Sequence, residues 1–205
     1  MIVVDVETTG SNPYKHCIVS IGAVEFENPN NTFYRECQIF DGAEIDLDAM
    51  RVNGFSIDSI KDSNKKTLED IIKEFSNWCS GFFNKTIIAH NAGFDMGFLE
   101  QSFKRYNIYW QFGFRSIDIH TTCYLNMLLN NIEIPMMYGT SGISLNKALE
   151  YCGLPREPDP HNALNGAKYE TETMHRILNG KSVYPEFASY KIPSYLLKTK
   201  QASLF

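Results

Sequence analysis

Three consecutive segments near the N-terminus have the composition of β-strands, and they constrain the fold more than any other part of the chain. They span residues 2–7, 17–27 and 32–40, separated by Gly10-Ser11-Asn12-Pro13 and Asn28-Pro29-Asn30-Asn31. β-Branched and alternating residues favour strands, whereas clusters of Gly, Pro, Asn and Ser favour turns. We therefore predict three successive antiparallel strands at the start of the fold.

Helical and strand patterns alternate through the following residues. An apolar stripe at helical spacing begins after Thr67 and comprises Leu68, Ile71, Ile72, Phe75, Trp78, Cys79 and Phe82. Two further strands are predicted at 86–90 and 116–119. Helices are predicted at 94–106, from the end of the second of these strands to 128, between Ser144 and Gly153, and at 163–178. Strands first, then alternating helices and strands, predict an α/β fold with a mixed five-stranded sheet flanked by helices. We assign residues 1–180 to this domain and residues 181–205 to an extended tail.

Bulk composition narrows the class of protein. A chain of 205 residues with 43% hydrophobic residues suits one well-buried domain, and no apolar run reaches membrane-spanning length. The N-terminus lacks the basic region of a signal peptide. Five cysteines without a CxxC pair favour reduced thiols in a cytoplasmic protein over a zinc site. The net charge of −5 disfavours a protein that coats long stretches of DNA, but it permits an enzyme that grips a few nucleotides.

The first predicted strand carries two carboxylates, Asp5 and Glu7. Side chains at positions i and i+2 of a strand point the same way, about 7 Å apart. Like charges held that close in a partly buried place repel, so either protonation or a divalent cation must offset them. Oxygen ligands suit Mg²⁺ or Mn²⁺, the ions of phosphoryl chemistry. Asp95, which enters a predicted helix, and His161, which precedes one, have contexts that suit the same site. Asp118 is expected only to bond nearby backbone.

Three segments resemble the exonuclease motifs of the DEDD-type 3′–5′ exonucleases, in the histidine-bearing branch that includes proofreading subunits of bacterial DNA polymerases. They are Asp5-Val6-Glu7-Thr8-Thr9-Gly10, Ala89-His90-Asn91-Ala92-Gly93-Phe94-Asp95 and His161-Asn162-Ala163-Leu164. Three motifs in order on suitable secondary structure are far more specific than one. The resemblance spans about residues 1–180 and implies a ribonuclease H-like fold.

The same resemblance implies roles for individual residues. Asp5 would bridge two Mg²⁺ or Mn²⁺ ions, Glu7 would help hold one ion and Asp95 the other. His161 would be the general base, since an imidazole can take a proton near neutral pH. Groups expected to contact the terminal nucleotide of a single-stranded 3′ end are Thr8, Thr9, Gly10, Asn91 and Phe94.

One position departs from the family pattern. The family places an aspartate five residues after the histidine, and this chain has Gly166 there. Nothing local favours a glycine, which costs about 1 kcal/mol in a helix relative to alanine. The chain is an inactive variant, or a binder that lost its chemistry, or a protein in which another carboxylate substitutes. Glu170 lies one turn further along the same helical face and is the candidate substitute. We predict impaired metal binding and weak or absent nuclease activity.

The last five residues, Gln201-Ala202-Ser203-Leu204-Phe205, resemble the QxxLF pentapeptide by which bacterial proteins bind the sliding clamp of the replisome. Gln201 would fix the register through hydrogen bonds, and Leu204 and Phe205 would fill an apolar pocket. Alternatively, the pattern arises by chance or the terminal pair folds back on the domain.

Three functions follow from these patterns. The first is a 3′–5′ DNA exonuclease that trims mispaired 3′ ends near a clamp, with a DNA polymerase as a further partner and no membrane contact. The second is an inactive single-strand-binding or clamp-binding module on the same fold, which Gly166 favours. The third is an RNA-trimming exonuclease, which the clamp-like tail disfavours.

Overall fold

A five-stranded sheet in the order β3-β2-β1-β4-β5 forms the centre of the computed structural model, which describes residues 1–197. The strands are β1 (Ile2–Thr8), β2 (Ile18–Glu25), β3 (Asn28–Glu36), β4 (Ile87–Ala89) and β5 (Ser116–Asp118). β1, β2 and β3 are antiparallel neighbours, whereas β4 runs parallel to β1 and to β5. The predicted mixed sheet is confirmed.

The turn between β2 and β3 lies earlier than the sequence predicted. The chain reverses at Phe26 and Glu27, so the predicted turn residues 28–31 belong to β3. Because β3 is an edge strand, Pro29 can sit in it without removing a hydrogen bond from the interior of the sheet. The proline and asparagines therefore indicated an edge and not a turn.

Seven helices surround the sheet in the described residues: α1 (Leu47–Asn53), α2 (Ile57–Ile60), α3 (Leu68–Ser80), α4 (Ala92–Arg105), α5 (Ile119–Leu129), α6 (Leu145–Tyr151) and α7 (Ala163–Asn179). Thr67 begins α3 with a capping box to Asp70, and Ser144 and Asn162 cap α6 and α7. The sequence did not predict α1, α2 or the hairpin of β6 (Met136–Met137) and β7 (Thr140–Ser141), since elements this short show little periodicity.

The two faces of the sheet pack against different helices. Ile2, Val4 and Val6 of β1 contact the cluster that contains α3 and α4, whereas Val3 joins the cluster with α5, α6 and α7. Because residues alternate along a strand, Asp5 and Glu7 lie on the α7 side with Val3.

Gly22 allows α7 to approach that face closely. It pairs with Asp5 across β1 and β2, and a Cβ atom at position 22 would lie 2.0 Å from the carbonyl carbon of Ala163. No side chain fits there, so the N-terminus of α7 rests on the backbone of β2 beside Asp5.

The segment after α7 packs against the domain as far as the structure describes it. Tyr184, Phe187 and Leu196 are buried, and Arg176 of α7 donates a hydrogen bond to the Phe187 carbonyl at 3.0 Å. The prediction of an extended tail from Lys181 is therefore wrong for residues up to 197. The domain boundary at residue 180 stays a prediction.

The clamp-like motif and the question of membrane-spanning helices remain to be compared with the structure. The clamp-like motif with Gln201, Leu204 and Phe205 lies outside the described residues. Within residues 1–197, no helix combines the length and apolar character that a membrane crossing requires.

Candidate active site

β1 carries Asp5 and Glu7 beneath the N-terminal half of α7. Glu7 is buried and Asp5 is partly buried. The imidazole of His161 lowers the pKa of the Glu7 carboxyl, although burial has the larger, opposite effect. The two carboxylates and the histidine therefore share one electrostatic environment.

Asp95 joins this pair from the first turn of α4. Asn91 precedes the helix with a left-handed φ of 61°, which turns the chain sharply from β4 into α4. Asp95 is buried, and its Oδ1 accepts a hydrogen bond of 3.1 Å from the backbone N–H of Val6, between Asp5 and Glu7. The structure thus brings together carboxylates from two segments about 90 residues apart in sequence.

His161 lies immediately before α7. The Asn162 side chain caps the helix by accepting from the N–H groups of Leu164 and Asn165, and the His161 N–H donates to the Val52 carbonyl at 3.1 Å. Its side chain is 34% exposed, with Nδ1 3.9 Å from a carboxylate oxygen of Glu157. The imidazole therefore has access both to solvent and to the carboxylates.

Gly166 lies directly over Asp5. A Cβ atom at position 166 would lie 2.1 Å from Asp5 Oδ2, closer than any real contact allows. The Asp5 carboxylate therefore lies where a side chain at position 166 would begin, a tertiary contact that the helix sequence does not record. An aspartate at 166 would require Asp5 to rotate away.

Two further buried glutamates face this region. Glu157 Oε1 and Glu170 Oε2 have no hydrogen-bond partner, although both residues are buried. The other oxygen of Glu170 accepts from the His90 N–H at 2.9 Å. Sequence reasoning identified Glu170 but missed Glu157, because no spacing rule links a loop residue to a strand some 150 residues earlier.

All five carboxyl groups have raised pKa values. Burial, followed by repulsion from Asp95, Glu7, Glu170 and Glu157, raises the pKa of Asp5 well above its usual range. Burial also raises the pKa of Glu7 to about 7 and that of Asp95 to about 8. Burial likewise raises the pKa of Glu157 and that of Glu170. None of the five forms an ion pair with a lysine or arginine of residues 1–197, so either protonation or a bound cation must offset their charges.

The chemistry of these donors fits a divalent metal ion. Hard carboxylate oxygens with one neighbouring imidazole suit Mg²⁺ or Mn²⁺, and two of the oxygens lack any other partner. No three His, Cys, Asp or Glu side chains in the described part of the chain already surround a single point as ligands. Binding an ion therefore requires these side chains to adjust.

The predicted nucleotide contacts have unequal access to the surface. Thr9 is fully buried; its hydroxyl donates to the Glu44 carbonyl at 2.7 Å and accepts from the Cys17 N–H at 2.9 Å. The Thr9 hydroxyl therefore braces the turn after β1, and a substrate contact at Thr9 stays a prediction. The Thr8 hydroxyl donates to the Gly10 carbonyl at 2.7 Å.

Asn91 and Phe94 lie at the open side of the site. Asn91 is exposed and makes no capping hydrogen bond, and Phe94 is half-buried against Phe98 at 4.9 Å between ring centroids. A cavity of about 350 Å³ beside His161 is also lined by Asn53 and Phe55, which the sequence did not indicate.

Asp118 and His90 have structural roles in this region. Asp118 caps α5 by accepting from the Thr121 N–H at 3.1 Å and also accepts from the Ala92 N–H at 2.8 Å, as the sequence predicted. A ring nitrogen of His90 lies 3.1 Å from the Ile143 carbonyl.

The fold of this chain is similar to that of several solved structures. The nuclease domain of 3′hExo, a DEDDh family member bound to rAMP, has a TM-score of 0.67 at 17% identity and covers 88% of this chain and 92% of that domain. Exonuclease I of E. coli with a dT13 oligonucleotide has a TM-score of 0.68 at 14% identity, over 85% of this chain and 40% of that one. At these identities the likeness shows the fold.

Sequence relatives and a family model narrow the assignment. DNA polymerase III subunit epsilon of Buchnera aphidicola is 38% identical over 109 residues, which are 50% of this chain and 45% of that protein. The subunit from Pasteurella multocida is 34% identical over 115 residues, 52% and 43% of the two chains. The chain thus spans less than half the length of these relatives. The model of the exonuclease family RNase_T matches residues 2–174, so the chain belongs to this family and is a DEDDh-type exonuclease.

Proposed function

We propose that the protein removes nucleotides from the 3′ end of single-stranded or mispaired DNA by hydrolysis. The observation that carries this proposal is the convergence of Asp5, Glu7, Asp95 and His161 at one edge of the sheet. These side chains come from three distant segments, and clusters of titratable groups with shifted pKa values are typical of functional sites.

Each residue has a role that its position supports. Asp5 and Glu7 would hold one divalent cation, and Asp5 with Asp95 would hold a second. DEDDh exonucleases are generally dependent on divalent metals, and we propose Mg²⁺ or Mn²⁺ here. When bound, such ions make water a stronger acid and offset the charge of the phosphate under attack.

His161 would take the proton of the attacking water. Its side chain is partly exposed, so a proton can pass from the imidazole to solvent after each turnover. Glu157 and Asp159 lie near the two ring nitrogens, at 3.9 and 3.8 Å, and would stabilise the imidazolium formed in that step. The Asn162 cap fixes the backbone that carries the ring.

DNA is the proposed substrate because the most similar relatives named above are subunits of DNA polymerase III. Asn91 and Phe94 at the open side could contact the terminal sugar and base by hydrogen bonding and stacking. Thr8 and Gly10 would contribute backbone groups. Stacking reads no base identity, so the products would be mononucleotides of every base.

Two protein partners are proposed on separate grounds. Relatives that are polymerase subunits support association with a DNA polymerase. The C-terminal Gln201, Leu204 and Phe205 support docking on a bacterial sliding clamp, which would raise the effective concentration of the enzyme at a primer end. The double variant Leu204→Ala, Phe205→Ala tests the second partner in a pull-down, and clamp binding equal to wild type would refute it.

A second candidate function rests on Gly166. A chain that lacks the family aspartate could bind single strands or a clamp without hydrolysing them, and the predicted impairment belongs to this candidate. A 3′-labelled and a 5′-labelled single strand, incubated with Mn²⁺ and the full chain, separate the two. Release of mononucleotides from the 3′ end, lost in His161→Gln, supports the exonuclease. Binding without any product supports the second candidate.

A further inference from the structure

We propose that Glu157 supplies the carboxylate that position 166 lacks, as a ligand to a divalent cation that it shares with Asp5. The inference deepens the proposed exonuclease function and rests on it for the identity of the site. Among the residues of the site, Glu157 is the one that neither a sequence motif nor the family pattern indicated.

Distance is the first reason. Oε1 of Glu157 lies 3.4 Å from the point where a Cβ atom of residue 166 would stand, and only atoms of Asp5 are nearer. The oxygens of an aspartate lie roughly 2.4 Å from its own Cβ by standard bond lengths. The Glu157 carboxylate therefore lies close to the region that an aspartate carboxylate at 166 could reach.

The second reason is that Glu157 Oε1 lacks a hydrogen-bond partner. The Glu157 side chain is only 4% exposed, and Oε1 has no hydrogen-bond partner. A buried carboxylate oxygen without a partner is unfavourable, because it has lost its hydrogen bonds to water. A divalent cation would give this oxygen a partner.

The loop that carries Glu157 is suited to hold it in place. Prolines flank it at positions 155, 158 and 160, and each fixes one backbone dihedral. Its second oxygen lies 3.9 Å from Nδ1 of His161, so one loop positions both the added carboxylate and the proposed base.

Glu170 is the competing source of the carboxylate and is the weaker of the two. One of its oxygens already accepts the His90 N–H at 2.9 Å, which ties the side chain to the end of β4. Its atoms are also further from the position of a residue-166 Cβ than those of Asp5 and Glu157. Glu170 is therefore less well placed than Glu157 to replace the missing aspartate.

Mn²⁺ binding to the full chain tests the assignment without relying on activity. Mn²⁺ affinity is measured by electron paramagnetic resonance, and the unfolding midpoint is measured in EDTA and in Mn²⁺. We expect Glu157→Gln to weaken Mn²⁺ binding by about tenfold or more. In EDTA, its midpoint should equal or exceed that of wild type, because an unpaired buried charge has been removed. A merely structural glutamate would lower the midpoint in both conditions.

Matched variants make the result specific. Glu150→Gln removes the same charge at an exposed site and should leave Mn²⁺ affinity unchanged. Glu157→Asp keeps the charge but shortens the side chain, so it should weaken Mn²⁺ binding even if the glutamine variant fails to fold. Gly166→Asp should not strengthen binding, because Asp5 and Glu157 already fill the space.

Wild-type affinity in Glu157→Gln overturns the inference, as does a larger loss in Glu170→Gln or a tenfold gain in Gly166→Asp. The same experiment separates this inference from the proposed function. If Glu157→Gln loses Mn²⁺ and wild type hydrolyses no DNA, the ligand assignment holds and the exonuclease proposal fails. If wild type hydrolyses DNA and Glu157→Gln binds Mn²⁺ normally, the reverse is true.

Discussion

Replacing Gly22 with alanine should separate α7 from the sheet and damage the site without altering any of its polar residues. The added Cβ atom would lie 2.0 Å from the Ala163 carbonyl carbon, 2.1 Å from its oxygen and 2.2 Å from the Leu164 nitrogen. These are backbone atoms, so no side-chain rotation relieves the overlap. Restoring an ordinary contact of about 3.5 Å requires the start of α7 to move by roughly 1.5 Å.

Both stability and function should respond to that movement. Overpacking a filled site costs about 1–3 kcal/mol, and a clash with backbone belongs at the upper end of this range. His161 and Gly166 move with α7, whereas Asp5 stays on β1 opposite residue 22. A displacement of about 1 Å among reacting groups can lower a rate by roughly 100-fold.

Urea denaturation and 3′-end hydrolysis measure the two effects. Gly81→Ala is the matched control, because a Cβ atom there meets nothing within 4 Å. We expect Gly22→Ala to lose about 3 kcal/mol of unfolding free energy and most of its activity, while the control keeps both. A Gly22→Ala protein as stable as wild type would refute the close approach of α7 to β2.

The remaining predictions concern charge and the proposed base. In EDTA, the free energy of unfolding should fall as the pH rises from about 4.5 to 8. Folding raises the pKa of Glu7 from 4.5 to about 7 and that of Asp95 from 3.8 to about 8. The folded state therefore binds more protons than the unfolded state across this pH range. For Glu7 alone the loss is roughly 3 kcal/mol, and urea midpoints that rise over the same window would contradict the sign. His161→Gln should slow hydrolysis by roughly 10²- to 10⁴-fold with little change in the unfolding midpoint; an unchanged rate would remove the histidine from the proton transfer. Arg176→Met breaks a fully buried ion pair and should cost about 3–5 kcal/mol in urea denaturation. Lys73→Met breaks an exposed pair and should leave the urea midpoint nearly unchanged. Equal losses in these two variants would refute the role assigned to burial.

Local periodicity predicted most of the fold. The alternation in residues 2–7 and 17–27 located β1 and β2, and the stripe after Thr67 located α3, because each pattern reflects the face that an element buries. Asn162 and Gly180 marked the ends of α7 for the same local reason, namely their capping chemistry. The segment after residue 180 has no such period, and its packing through Tyr184 and Phe187 could not be predicted.

The sequence likewise indicated some residues of the candidate site and not others. Asp5, Glu7, Asp95 and His161 could be identified from the sequence, because each belongs to a motif of fixed spacing. Glu157 could not, since nothing in its loop distinguishes it from a solvated glutamate.

The sequence by itself determined the order of elements and the shared face of Asp5 and Glu7, because both depend on spacing along the chain. The role of His161 was indicated only by the resemblance to a known family. Only the tertiary structure showed which carboxylates stand beside residue 166. Their positions depend on distances of a few ångströms between strand β1 and a loop and helix about 150 residues later in the chain. Packing sets such distances, and no local pattern records them.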